Sequence, residues 1–208
     1  MFKKLDFFFF GRIINFFYPQ YFRPKYGYQR YYILFFHYLV PQKIYRLNPK
    51  VKWPVHYTSR VIAPNNIQKG ILCDPGDNIN NYIQANNGII FGNNVELAPG
   101  VSIISSNHDV TNLSKHVNGK PITIGNHVWI GANATVLPEV TIGNNVTIGA
   151  NSVVTKDIPS NSIAVGNPCV VIKKKEPYTE DFSTIIFNKK EGLLSPSFLL
   201  IVFVFYLT

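Results

Sequence analysis

From Ile124 to Val154 an aliphatic residue returns at every sixth position: Ile124, Ile130, Val136, Ile142, Ile148, Val154. Four of the six are followed directly by glycine, at Gly125, Gly131, Gly143 and Gly149. Neither a helix, with period 3.6, nor a free strand, with period 2, keeps that beat; short strands broken by regular corners do. A second series at Val128, Ala134, Val140, Val146 and Ser152 fills the gaps, so each rung points two small or branched residues inward. The corners carry Gly-Asn or Ala-Asn pairs, which tolerate left-handed backbone at low cost. Such a hexapeptide period predicts an all-β solenoid, a parallel β-helix.

The same beat is traceable upstream through Val61, Ile67, Cys73, Ile79, Ala85, Phe91, Leu97 and Ile103, clean from Phe91 onward and ragged before it. It stops between Ile104 and Lys120, where residues 105–120 read as a polar loop thrown out of the wall. With three rungs per coil, the repeat makes roughly four to five coils. A stack of that kind has a thin aliphatic core and needs caps at its ends. The sequence therefore divides into an arm at 1–50, a solenoid domain at 51–174 and a tail at 175–208. The apolar run at the end of the tail has strand-like composition and no visible partner.

Charge is unevenly placed. Residues 1–60 carry eleven Lys and Arg against the single acid Asp6, whereas residues 61–208 carry nine against ten acids. Phe7–Phe10, Phe16, Phe17, Tyr31, Tyr32, Phe35 and Phe36 are interleaved with that basic charge. A basic, aromatic, partly helical arm suits either a cap over the first coil or peripheral contact with an anionic membrane. Nucleic acid is not an expected partner, because the solenoid offers no basic groove. Cys73 and Cys169 have no metal or redox spacing and read as buried thiols in a reducing compartment. No secretory signal is evident, and the apolar runs at 31–40 and 198–207 are about half a membrane span. A cytoplasmic protein, peripheral at most, is the expectation.

The exceptions in a repetitive wall are the places to look for chemistry. The largest is the excursion after Ile104, which holds His108 in the string SSNHD. Histidine accepts a proton near neutral pH with little tuning. His116, in the same loop, and His127, at a corner, read as surface residues. Their spacing from His108 does not place three ligands on adjacent rungs, so no metal is expected. Phosphate-loop, dinucleotide and nucleophile-elbow motifs are all missing. Trp129 is a large aromatic at a wall position otherwise held by small residues, either packing between subunits or forming a platform for a ligand chain. Lys156 and Lys173–Lys175 are candidate phosphate contacts.

The string PITIGNHVWIGANATVLPEVTIGNNVTIGANSVVTKDIPSNSIAVGNPCVVI closely resembles the bacterial hexapeptide-repeat acetyltransferases, especially the galactoside and maltose O-acetyltransferase branch. CDPGDNI (Cys73–Ile79), the Ala85-Asn86 pair and SSNHD resemble that branch's acceptor and catalytic-histidine segments, and VKWPVHYTS (Val51–Ser59) resembles the lead-in of capsule and exopolysaccharide relatives. The resemblance implies a left-handed β-helix, against the usual right-handed crossover rule, and a homotrimer with sites between subunits. It also implies that acetyl-CoA is the co-substrate. By motif position it puts His108 on the general base, Asn86 and Asp74 on acceptor contacts, and Trp129 beside the pantetheine arm. Ala132 and Ala150 fall on wall positions whose backbone meets that arm, and Thr155, Lys156 and Lys173 fall near the nucleotide. One departure is Val170, where relatives commonly carry Arg or Lys.

The expected reaction is direct acetyl transfer from acetyl-CoA to a saccharide hydroxyl in surface-polysaccharide assembly, with an acceptor that is free or lipid-linked. Amino-sugar N-acetylation and xenobiotic acetylation remain open, as does a β-helical scaffold without catalysis. An idle scaffold, however, needs neither a histidine loop breaking its wall nor a tryptophan on it.

Overall fold

The computed structural model describes residues 5–18 and 30–179. The tail beyond Thr179 lies outside them, as do Lys3, Lys4, Arg23 and Lys25 of the basic arm. The chain divides into two units, Met1–Glu176 and Pro177–Thr208.

Among the described residues, fourteen short strands build three sheets with parallel pairing throughout except at the last strand. The first face stacks β1 (Arg60–Ile62), β3 (Tyr82–Gln84), β6 (Ser102–Ile104), β9 (Thr135–Val136) and β12 (Val153–Val154). The second face stacks β2 (Ile67–Gln68), β4 (Ile89–Phe91), β7 (Ile122–Ile124) and β10 (Thr141–Ile142). The third stacks β5 (Val95–Leu97), β8 (Val128–Ile130), β11 (Val146–Ile148) and β13 (Ser162–Val165), and β14 (Val170–Lys174) closes it antiparallel. The result is a three-sided parallel β-solenoid. Its core is columnar: Val61, Ile83, Ile103, Val136 and Val154 are register partners from coil to coil, and all are buried. Each such side chain contributes about 1.5–3 kcal/mol by leaving water.

The upstream beat is corrected here. Val61 partners Ile83, and Ile83 partners Ile103, so the first coils run 22 and 20 residues where Val136 to Val154 takes 18. Ile79 is therefore a corner residue, 44 % exposed, and Ile83, with Ala85 two positions on, holds the column. Extra residues in a coil are absorbed at corners, because strand pairing fixes the rungs.

The corners stack as well. At the turn between the second and third faces, Asn94, His127, Asn145 and Asn161 all take left-handed backbone. His127 thus occupies an asparagine slot, half-buried with its Nδ1 3.0 Å from Asn94 Nδ2, rather than standing free in solvent. Gly125 precedes this corner because a Cβ there would lie 2.8 Å from the backbone of Gly143 in the next coil.

The arm is helical over 7–17 and 31–43: Phe7–Gly11 and Phe35–Leu39 are π-helical, flanked by α1 (Arg12–Phe17), α2 (Tyr31–Leu34) and α3 (Val40–Lys43). Ile14, Tyr18, Leu34, Tyr38 and Leu39 form its own small core, four of them at the i, i+4 spacing of one helix face. Asp6, the arm's only acid, accepts the backbone N–H groups of Tyr31 and Tyr32, both at 2.8 Å, and so closes the helical pair.

Buried Gln42 joins this core to the first coil. Its amide donates to the Val51 and Trp53 carbonyls at 2.8 and 3.1 Å, while its oxygen accepts the Tyr18 hydroxyl at 2.7 Å. The Tyr38 hydroxyl adds a bond to the Asp77 carbonyl at 2.8 Å. Phe8, Phe9, Phe16 and Phe36 remain on the outside, Phe16 being 80 % exposed. Among the described residues no helix is long and apolar enough to cross a membrane.

Candidate active site

The edge between the first and second faces, here the front edge, is where the repeat departs from its rule. From Val136 to Ile142 the chain turns it in six residues, from Ile83 to Phe91 in eight, and from Ile103 to Ile124 in twenty-one. The eight-residue turn carries Asn86, exposed at its tip, and the long one carries His108. Consecutive coils are about 4.8 Å apart. Asn86 and the root of the His108 excursion are therefore stacked neighbours.

The excursion is an ordered hairpin. Asp109 N–H donates to the Lys115 carbonyl and Val117 N–H to the Asn107 carbonyl, both at 2.9 Å, and the rings of His108 and His116 face each other with centroids 4.4 Å apart. At its tip Asp109 accepts the hydroxyl and amide of Thr111 at 2.6 and 2.7 Å. Those bonds hold the Asp109 carboxyl below the ordinary aspartate range, the Thr111 hydroxyl contributing most.

Three residues that sequence reasoning passed over clamp the hairpin. Buried Gln84 bonds both backbone groups of Ser106 at 3.1 Å, and Asn87 donates to the Val117 carbonyl at 2.9 Å. From the coil beyond, Glu139, at φ +67°, accepts Lys120 N–H at 3.1 Å. The available signal was a glutamine in the rung Tyr82–Gln84, which otherwise follows the column rule.

Within the hairpin, His108 Nδ1 lies 2.7 Å from the Leu113 carbonyl oxygen. A carbonyl only accepts, so Nδ1 carries a proton, and in the neutral ring the lone pair falls on Nε2. His108 is exposed.

Trp129, 51 % exposed, stands on the third face, which lies opposite the front edge. Register carries a straight row across that face, from Trp129 to Thr147, to Ile163, to Lys173. Three strand steps separate the tryptophan from the lysine, roughly 14 Å. Ala132 and Ala150 stack on the adjoining edge, where Asn151 N–H bonds the Ala132 carbonyl at 2.8 Å. Thr155 and Lys156 turn the front edge beyond the hairpin instead. Asp74 sits with neither group: it is in the first coil between β2 and β3 and pairs with Lys69 at 3.0 Å.

The model of the bacterial transferase hexapeptide family, six repeats, matches residues 121–156. Over these residues the chain is similar to that family. Among its relatives, the galactoside O-acetyltransferase of Escherichia coli K12 is 43 % identical over 45 % of this chain and 50 % of its own. The galactoside O-acetyltransferase of Lactococcus lactis is 41 % identical over 56 % of each. A solved maltose O-acetyltransferase from Clostridium difficile 630 is 42 % identical, over 58 % of this chain and 61 % of its own, with a TM-score of 0.45. The chain thus spans about half the length of the curated relatives it matches.

Cys73 and Cys169 are buried, and burial pushes both thiols up, away from the reactive thiolate. Of the candidate residues, Asn86, His108, Thr155 and Lys156 lie on the front edge, and Trp129 and Lys173 on the third face.

Proposed function

We propose that this protein is a hexapeptide-repeat transferase that moves the acetyl group of acetyl-CoA to a saccharide hydroxyl. The observation that carries the reading is His108, its Nδ1 tied to the Leu113 carbonyl and the residue exposed on the hairpin that breaks the wall. Nε2 takes the hydroxyl proton as the sugar oxygen attacks the thioester carbonyl carbon. The carbon–sulfur bond breaks, and the imidazolium returns the proton to the leaving thiolate. No enzyme-bound acyl group is needed, since neither buried cysteine is a nucleophile. Asn86, one coil from the hairpin root, is placed to orient the acceptor. Trp129, Ala132, Ala150 and Lys173 fit the pantetheine arm and phosphates of acetyl-CoA, with Thr155 and Lys156 contributing from the front edge.

Because His108 and the Trp129 row belong to opposite sides of the prism, one copy does not hold a complete site. A homotrimer of left-handed β-helices, with the front edge of one copy against the third face of the next, completes it. Asp74 contacts acceptor in this reading only across such a junction. The basic, aromatic arm supports a role in surface-polysaccharide assembly with a lipid-linked acceptor at an anionic membrane. The test is product mass spectrometry with acetyl-CoA against panels of neutral and amino sugars. Acetylated neutral sugar, with the rate reduced about 10²–10⁴-fold in His108→Ala, is the expected result. Exclusive N-acetylation would replace the hydroxyl acceptor, and full activity without His108 would remove the base.

A further inference from the structure

A cleft of about 610 Å³ opens where the arm meets the first coil, lined by residues 46–51 and 57–64. Three cations line it, Arg46, Lys50 and Arg60, and no carboxylate does. All three side chains are exposed, and among the described residues none is paired with an acid. Three like charges around one hollow repel one another, and an anion relieves that repulsion.

The hollow is held open by the fold. Asn48, at φ +52°, donates to the Ser59 carbonyl at 2.9 Å and accepts Val61 N–H at 2.9 Å, pinning the 46–51 strip to β1. Arg46 and Ala63 also take left-handed backbone, at φ +58° and +53°. The solenoid's corners mostly use asparagine for that conformation, whereas Arg46, ahead of the solenoid and lining the cleft, takes it at the cost of local strain.

The cleft lies on the front edge. Ile62, Ala63 and Pro64 turn that edge in the first coil, Asn86 turns it in the second, and the His108 hairpin leaves it in the third. Two coil steps, roughly 10 Å, separate the cleft from the hairpin root. Ile44, Tyr45, Leu47 and Tyr57 are exposed around or beside the cleft, apolar surface flanking the basic hollow.

We infer that this cleft is a phosphate site, and that the acceptor is a saccharide carrying a phosphate ester. This rests on the acetyl-transfer reading: phosphate sits among Arg46, Lys50 and Arg60 while the sugar extends along the front edge past Asn86 to His108. Arg46 and Arg60 present forked donors suited to phosphate oxygens, and Lys50 adds a point charge. The same chemistry has two sources, a soluble sugar phosphate or a sugar joined through phosphate to an apolar chain. The apolar residues beside the cleft suit the second.

Calorimetry on the full-length protein tests this with inorganic pyrophosphate as the probe, in the presence of saturating coenzyme A. Pyrophosphate should still bind, because the cleft is apart from Lys156 and Lys173. Its affinity should fall at least tenfold in Arg46→Gln/Arg60→Gln, and also in Lys50→Gln/Arg60→Gln, which leaves the left-handed Arg46 untouched. Equal binding by both variants, or displacement by coenzyme A, overturns the site. Two further titrations separate the sources. Glucose 1-phosphate bound with the same dependence on the variants supports the soluble source. Binding of phosphatidylglycerol vesicles but not phosphatidylcholine vesicles, lost in the variants, supports the lipid-borne one. A wild-type protein that binds none of these probes refutes the proposal. Coenzyme A affinity, measured in the same samples, reports separately on the acetyl-transfer reading: its loss with pyrophosphate binding intact sinks that reading and leaves the cleft.

Discussion

His108 and Trp129 stand on opposite sides of the same prism, the histidine on a hairpin from the front edge and the tryptophan at the middle of the facing wall. An active site using both draws them from different copies. Mixing His108→Ala with Trp129→Ala chains and refolding them together should then restore activity that neither variant has alone. Random assembly of a cyclic trimer rebuilds intact sites at roughly a quarter of positions. A mixture as inactive as its components would place both residues in one subunit's site.

Gln84→Ala should impair catalysis without touching substrate. Its buried side chain holds both backbone groups of Ser106 at the hairpin root, and leaving those unpaired costs about 1–3 kcal/mol. The turnover number should fall while coenzyme A affinity, which the proposed function rests mainly on the Trp129 row, stays at the parent value. Gln84→Glu, which keeps the acceptor for Ser106 N–H, should recover part of the rate. A drop in coenzyme A affinity equal to the drop in turnover would mean general unfolding instead.

Lys173→Gln should weaken coenzyme A binding, and the difference from parent should shrink as salt rises, since an exposed point charge is screened over about 8 Å at physiological ionic strength. The row from Trp129 to Lys173 is the basis for this expectation. A salt-independent loss in titrations from low to high ionic strength would point to packing rather than charge.

His56 gives the fold an acid limit. Its Nδ1 accepts from Thr58 N–H at 3.3 Å and faces the Thr58 hydroxyl at 2.8 Å, a neutral-ring arrangement. Burial, and then the neighbouring His37, lower its pKa below the ordinary histidine value. The unfolded chain therefore binds the proton more readily, so this contribution to stability is fully present above about pH 6.5 and is lost as pH falls through the lowered folded value. Melting temperature should drop on acidification below that point, and less steeply in His56→Asn, which keeps a side-chain acceptor. An identical pH slope in the variant would assign the acid sensitivity elsewhere.

The local repeat was legible because one hexapeptide makes one rung: Ile124 to Val154 show their inward positions by spacing alone, and the glycine and asparagine corners follow from backbone sterics. His108 was legible because it interrupts that spacing. The ragged beat through Ile79 and Ala85 misled, since two or four extra residues at a corner leave local periodicity plausible while shifting what stacks on what.

The sequence by itself determined that this chain coils in rungs of six, that its wall is aliphatic, and that its chemistry belongs to the exceptions. Only the tertiary structure decided which exceptions meet. Asn86, the His108 hairpin and the cleft around Arg46, Lys50 and Arg60 share one edge, whereas Trp129 and Lys173 share the opposite face. Gln84, Asn87 and Glu139 become the hairpin's clamps only when neighbouring coils are brought into register. That register is set by hydrogen bonds between strands some twenty residues apart, and no local pattern encodes a pairing at that separation.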